Sequence, residues 1–322
     1  MRTLQRVVVL AALLACTLDS ALAQSWPSRP IRFIVPVAAG AGFDINSRMI
    51  AERLAKKFGQ PVVVENQPGA GTTLGVGTIA KASPDGYTIG MMLSPVTIQQ
   101  TLLSEMGFDA RKDLSPIILL GWDFNLLAVH PDVPATSVQQ LIDYLKANPD
   151  KINYASGGNG TPAHIAAEFF KQTTATQMVH VPYKAADMAV QDLIAGRVQV
   201  MFGNVPATLP HIRSGKLRAL AVVGKQRLAL LPDLPSMADV GYPNIDVPNW
   251  QGVVAPAGTP DAVIRLLYRE IAAAVADPDV SQRMGRGSTV IDIQPPEVLK
   301  KMIADDIDRW ADVIRKAGIQ GN

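Results

Sequence analysis

IRFIVPVAAGAGFD (residues 31–44) and NYASGGNGTPAH (residues 153–164) decide how this chain is read, because each runs from a short strand through a glycine loop into a helix start. In the first, Ile31 to Val35 is an apolar strand stopped by Pro36. From Asp44 to Phe58, Ile45, Met49, Leu54 and Phe58 then recur near helical spacing. The second stretch repeats that grammar. Glycine lets backbone N–H groups approach a ligand closely, and a helix start adds unpaired donors and the positive end of a dipole. Two such units far apart in sequence predict one anion, a carboxylate or a phosphate, held between two domains.

Upstream, the basic MRTLQR and the apolar VVVLAALLAC lead to Ala21-Leu22-Ala23, which predicts a secretory signal peptide over residues 1–23 and a periplasmic destination. The run from Val7 to Leu18 is broken by Asp19, too short for a bilayer span of about 20 apolar residues. A competing reading makes Leu13 to Cys16 a lipoprotein box with Cys16 lipidated; the Ala21–Ala23 site is better formed. Cleavage after Ala23 leaves no cysteine, hence no disulfide, thiolate nucleophile or cysteine metal site. The remainder, about 300 residues, suffices for two domains with proper cores. At 48% hydrophobic and 18% charged residues, composition is that of an ordinary folded domain. A formal net charge of +2 with no basic stripe argues against nucleic acid as a partner.

Strand and helix signals alternate throughout, which predicts an α/β class with parallel sheets covered by helices. The strands are VVVEN (62–66), YTIGMML (87–93), IILLG (117–121), LLAV (126–129), INYAS (152–156), MVHVPY (178–183), VQVMFG (198–203) and LRALAVV (217–223). Residues 24–124 and 250–322 are expected to form one domain and residues 125–249 the other. The crossings near Trp122 to Asn125 and Pro248 to Gly252 would act as a hinge over a cleft. Helices Asp261–Ala276 and Pro296–Ala317 are expected to pack back on the first domain.

The loops carry the chemistry. Gly40-Ala41-Gly42 and Gly157-Gly158-Asn159-Gly160 gain weight from their matching context. GAGTTLG (69–75) imitates a dinucleotide fingerprint but lacks the acidic residue about 20 positions on, so it reads as a turn and no cofactor is expected. Asp44 reads as an N-cap or first-turn carboxylate worth about 0.5–2 kcal/mol. His164 reads as a loop brace. His130, His180 and His211 lack zinc-site spacing, so no metal is expected. Ser156 precedes a glycine, but G-x-S-x-G is absent. Phe43, Trp122 and Phe124, at the loop and hinge, predict a partly apolar cleft wall. Ser94, Pro95 and Thr97 are candidate polar contacts at the end of their strand.

At these residues the chain resembles the Bug family, the extracytoplasmic solute receptors of tripartite tricarboxylate transporters. The match runs through WPSRPIRFIVPVAAGAGFD (26–44), GQPVVVENQPGAGT (59–72), ASPDGYTIG (82–90), NYASGGNGTPAH (153–164), MVHVPYK (178–184), LPHIRSGKLRALAV (209–222) and VAPAGTP (254–260). The resemblance implies a type II periplasmic binding-protein fold, two α/β lobes closing on a small carboxylate. It also implies that one loop, Ala38, Ala39, Gly40, Ala41, Gly42, Phe43 and Asp44, and another, Ser156, Gly157, Gly158, Asn159, Gly160 and Thr161, bind one ligand carboxylate. His164 and Asn204 join these as candidate contacts. Phe43, Ala41, Ala185 and Gly203 depart from the family pattern, which implies a bulkier, less polar ligand. Asp123 would suit a ligand with an amino or ring nitrogen. The expected protein is a monomer that delivers its ligand to a membrane permease. Alternatives are a sensor passing ligand to a signalling protein, or an enzyme, either an oxidoreductase using GAGTTLG or a hydrolase using Ser156 and His164.

Overall fold

The computed structural model describes residues 26–103, 105–184, 186–247, 249–286 and 288–319. The expected signal peptide, Cys16 and Ala185 lie outside the described residues.

Among the described residues, eleven strands form two sheets. The first holds β1 (Ile31–Val35), β2 (Val62–Asn66), β3 (Thr88–Leu93), β4 (Leu114–Asp123), β10 (Asn249–Pro256) and β11 (Val290–Gln294), in the order β11-β4-β10-β3-β1-β2. The second holds β5 (Asn125–Val129), β6 (Asn153–Ser156), β7 (Val179–Pro182), β8 (Val200–Asn204) and β9 (Arg218–Val223), in the order β7-β6-β8-β5-β9. The two are wired alike. In each, a first strand (β1, β6) lies parallel between the next two, and the third (β3, β8) is followed by an antiparallel strand arriving from the other lobe (β10, β5). β4 or β9 lies beyond it. The crossings lie side by side, since Asp123 closing β4 is the register partner of Asn249 opening β10.

Helices cover both faces of each sheet, which is why the strands read as continuous apolar runs. Residues alternate along a strand. Ile31, Phe33 and Val35 therefore pack under α1 (Gly42–Phe58) and α8 (Asp261–Ala276), through Ile50, Leu54, Leu267 and Ile271, while Ile34 meets Val76 and Ile79 of α2 (Thr73–Ala80). α3 (Pro95–Leu102) follows β3. In the second lobe, α4 (Val138–Ala147) and α5 (Pro162–Thr174) cover one face through Leu141, Leu145, Ile165 and Phe170. α6 (Ala186–Ile194) covers the other through Val190 and Leu193, and α7 (Val205–Arg213) follows β8. α9 (Pro278–Arg286) leads to β11.

The last helix, α10 (Pro296–Ala317), departs from the expectation that it packs on the first lobe alone. Leu299, Ile303 and Ile307 sit in the first-lobe core, whereas Trp310, Val313 and Ile314 join Phe170 in the core of the second, together with Ile98 of α3. A helix of 22 residues spans about 33 Å, enough to reach both.

Candidate functional site

The loop after β1 enters α1 without a side-chain cap, since the N-cap is Ala41. Among the described residues, no acceptor meets the amides of Gly42, Phe43 or Asp44, so the helix presents open donors at its positive end. Gly40 adopts φ +85°, a conformation natural to glycine. Asp44, buried in the first turn, braces the loop from behind. One of its oxygens accepts the Gly40 N–H at 2.8 Å and Arg48 Nε at 3.1 Å, and the other accepts Asn66 Nδ2 at 2.8 Å. Burial pushes this carboxyl up, but the hydrogen bonds from Arg48, Gly40 and Asn66 outweigh it and hold it below the usual carboxylate value. Asp44 is thus the first-turn carboxylate the sequence suggested, fixing Gly40 rather than capping the helix.

Beside that helix start, with Ala41, Gly42 and Phe43 on its wall, a cavity of about 480 Å³ opens between the lobes. Val37, Ala41, Gly42, Phe43 and Asn46 line it from the first loop and α1, and Asp187, Asn204, Pro206 and Ala207 line it from the second lobe. Asp123, Asn249 and Thr289 complete the wall, which among the described residues contains no Lys, Arg or His. Asn204 caps α7 by accepting the Ala207 N–H at 2.9 Å. Asn249 accepts from the buried Ser94 hydroxyl at 2.8 Å. With its oxygen so engaged, each asparagine keeps an NH₂ as a donor. Asp123, 8% exposed, accepts Thr289 Oγ1 at 2.9 Å and Gln251 Nε2 at 2.8 Å. Burial raises its carboxyl, against those hydrogen bonds, to about 6.

The loop after β6 engages several of its donors within itself. The Thr161 hydroxyl caps the His164 N–H and donates to Gly158 O at 2.8 Å, the Gly158 N–H reaches Ser156 Oγ at 3.2 Å, and the Gly160 N–H reaches His164 Nδ1 at 3.0 Å. Ser156 Oγ also meets His180 Nε2 at 2.7 Å. His180 stacks on His164 at 4.1 Å and on Tyr154 at 4.7 Å. Burial lowers both imidazoles, and the neighbouring His164 lowers His180 further, to about 4. Gly160, at φ +71°, abuts α3: a Cβ there would stand 2.4 Å from Leu102 Cδ1. On its other side the loop borders α6, with Gly157 against Ala186, the residue before Asp187.

The structure therefore brings Ala41, Gly42, Phe43 and Asn204 to one cavity, with Asp44 and Ser94 bracing it from behind. It places Ala38, Ala39 and Gly40 on the exposed part of the first loop, and Ser156 to Thr161 with His164 beside the cavity rather than on the wall described above. The aromatic wall is corrected in part. Trp122 donates Nε1 to Asp292 at 2.8 Å and lines a separate groove with α10 residues, and Phe124 is buried among Leu126, Val205 and Val222. Asp123 stands between them and faces the cavity, and strand neighbours point to opposite faces. Gly203 lies within β8, where a Cβ would come 2.5 Å from Thr208 Cγ2. Asn46, Asp187, Asn249 and Thr289 were missed. Asn46 had a signal, four residues after Gly42 on one helix face, and so did Asn249, opposite Asp123 across the crossing; Thr289 had none. Among the described residues no His, Cys, Asp and Glu cluster suits a metal ion, and no helix is long and apolar enough to cross a membrane.

Comparison with known proteins agrees with this architecture. The family described as tripartite tricarboxylate transporter family receptor (TctC) matches residues 46–319. Protein BugT of Bordetella pertussis is 37% identical over 299 residues, covering 92% of this chain and 91% of the relative. The solved structure of periplasmic binding protein BugD superposes with a TM-score of 0.79 at 33% identity, over 92% of this chain and 100% of that one. Rpa4515 of R. palustris, solved with adipate, gives 0.81 at 31% identity, again over 92% and 100%. Two like-wired lobes around an amide-lined cavity, together with these matches, show that the chain belongs to the TctC family of tripartite tricarboxylate transporter receptors, the periplasmic solute-binding proteins of the Bug type.

Proposed function

We propose that this protein captures a small organic carboxylate between its lobes in the periplasm and presents it, as a monomer, to the permease of a tripartite tricarboxylate transporter. The observation that supports this most is that the open start of α1, through Ala41, Gly42 and Phe43, lines the interlobe cavity. A carboxylate oxygen there accepts charge-assisted hydrogen bonds worth about 1.5–3 kcal/mol each. Asn204 and Asn249, from opposite sides, add neutral donors. Phe43, Val37, Pro206 and Ala207 give the rest of the ligand an apolar enclosure. The adipate bound by Rpa4515 is consistent with this class. Binding that touches both lobes favours the closed form only by its extra affinity for that form, so the mechanism is recognition with no bond broken.

A hydrolase is the reading to weigh against it, because Ser156 Oγ and His180 Nε2 stand 2.7 Å apart. Ser156, however, is fully buried, its hydroxyl is also engaged by Gly158, and His180 is stacked between two rings. Such a serine braces a loop. A thermal-shift screen of aliphatic, aromatic and amino-bearing carboxylates tests the proposal. A ligand at a hundred times its Kd adds about 2.7 kcal/mol. We expect partly apolar acids to outperform citrate. A protein that no carboxylate stabilises, or that turns over an ester, would refute the receptor reading.

A further inference from the structure

The cavity is polarised. At one place it offers amide donors, and at another it holds a buried carboxylate with no cation beside it. Both hydrogen-bond partners of Asp123, Thr289 and Gln251, are neutral, and its two oxygens keep unused lone pairs. Gln251 donates its NH₂ to that carboxylate, which fixes the orientation of the amide. Its other atom, Oε1, fully buried, then has no hydrogen-bond partner. A second carboxylate, Asp187, lies on the same wall, and among the described residues no basic side chain does. A surplus of buried acceptors is a place for a donor, and like charges in a weakly screened cavity repel.

We infer that the ligand is a monocarboxylate carrying a protonated or N–H-bearing nitrogen, its carboxylate on the α1 amides and its nitrogen on Asp123. This rests on the receptor reading above and narrows it. A dicarboxylate placed the same way would set its second anion against Asp123 or Asp187. An ammonium there forms a charge-assisted contact and neutralises the carboxylate that the fold buries.

The test is calorimetric titration of the protein, freed of co-purified ligand, near neutral pH with matched acids. One set is hexanoate, adipate and ω-aminohexanoate; the other is p-toluate, terephthalate and p-(aminomethyl)benzoate. In at least one set the amino member is expected to bind about tenfold tighter, or more, than both companions. In Asp123→Asn the margin over the dicarboxylate collapses or reverses, and in Asp187→Asn, on the more exposed residue, it shrinks less. A dicarboxylate binding best in wild type, or an amino margin that survives Asp123→Asn, overturns the inference while leaving the receptor reading intact. Failure of every acid, here and in the wider screen, removes the receptor reading and this one with it. Should Asp123→Asn not fold, the wild-type ranking decides alone.

Discussion

The loops after β1 and after β6 occupy equivalent places in two sheets whose five shared positions are ordered alike, yet their amides have different fates. The first leaves Gly42, Phe43 and Asp44 without acceptors and braces itself from behind through Asp44. The second engages Gly158, Gly160 and His164 with Ser156, a histidine ring and a threonine cap. A glycine-rich turn before a helix is thus two devices. One leaves helix-start donors open beside a cavity; the other spends its donors on its own side chains and sits between α3 and α6. What separates them is whether nearby side chains fill the donors, which glycine spacing does not reveal.

The comparison breaks most visibly at Gly160. Gly160→Val combines left-handed strain with overlap against Leu102, and a loss of about 3 kcal/mol is expected in urea unfolding. Loss below about 1 kcal/mol would mean the loop is pliable. Next, His164→Ala leaves the Gly160 N–H buried without an acceptor, and about 1–3 kcal/mol should go. Its amide-exchange protection should fall across Ser156–Thr161 and not across Ala38–Asp44. Acidification sharpens the same contrast. The folded state holds His180 near 4 against an ordinary 6.5, so the unfolded chain takes up protons first and stability falls as pH drops from about 6.5 to 4. Asp123, near 6 against 3.8, acts in the opposite sense, since the native state is protonated first as pH falls through 6. Hydrogen exchange against pH should therefore open the second loop before the hinge, and replacing both histidines should flatten that response. Asp44→Ala, which strips the Gly40 N–H, Arg48 and Asn66 of their shared carboxylate, should free the first loop at about 1–2 kcal/mol. The smallest effect belongs to Gly42→Ala, within about 0.5 kcal/mol, because nothing lies within 4 Å of the added methyl.

Much of this was legible in the chain. IRFIV and its glycine loop became β1 and α1, and the alternating signals became two sheets, because unbroken apolar runs need cover on both faces. Gly42 stood out through its glycine loop before a helix start, Phe43 as an aromatic beside that loop and Asn204 through the family resemblance, and all three line the interlobe cavity. Trp122 and Phe124 were misplaced because hinge proximity says nothing about which strand face a side chain takes. His180 was passed over as scattered, although pairing of β6 with β7 sets it opposite Tyr154 and makes the stack with His164. Contacts made across a sheet leave no spacing to read. The reach of α10 into both cores was hidden for a similar reason: its apolar stripe is uniform, and only the position of the second lobe divides it.

The crossing strands meet where Asp123 faces Asn249. A body turning about an axis displaces its parts in proportion to their distance from it, so any swing of one lobe about those strands moves this corner least. Groups arriving at Asp123 and Asn249 would then encounter nearly the same surroundings before and after such a swing.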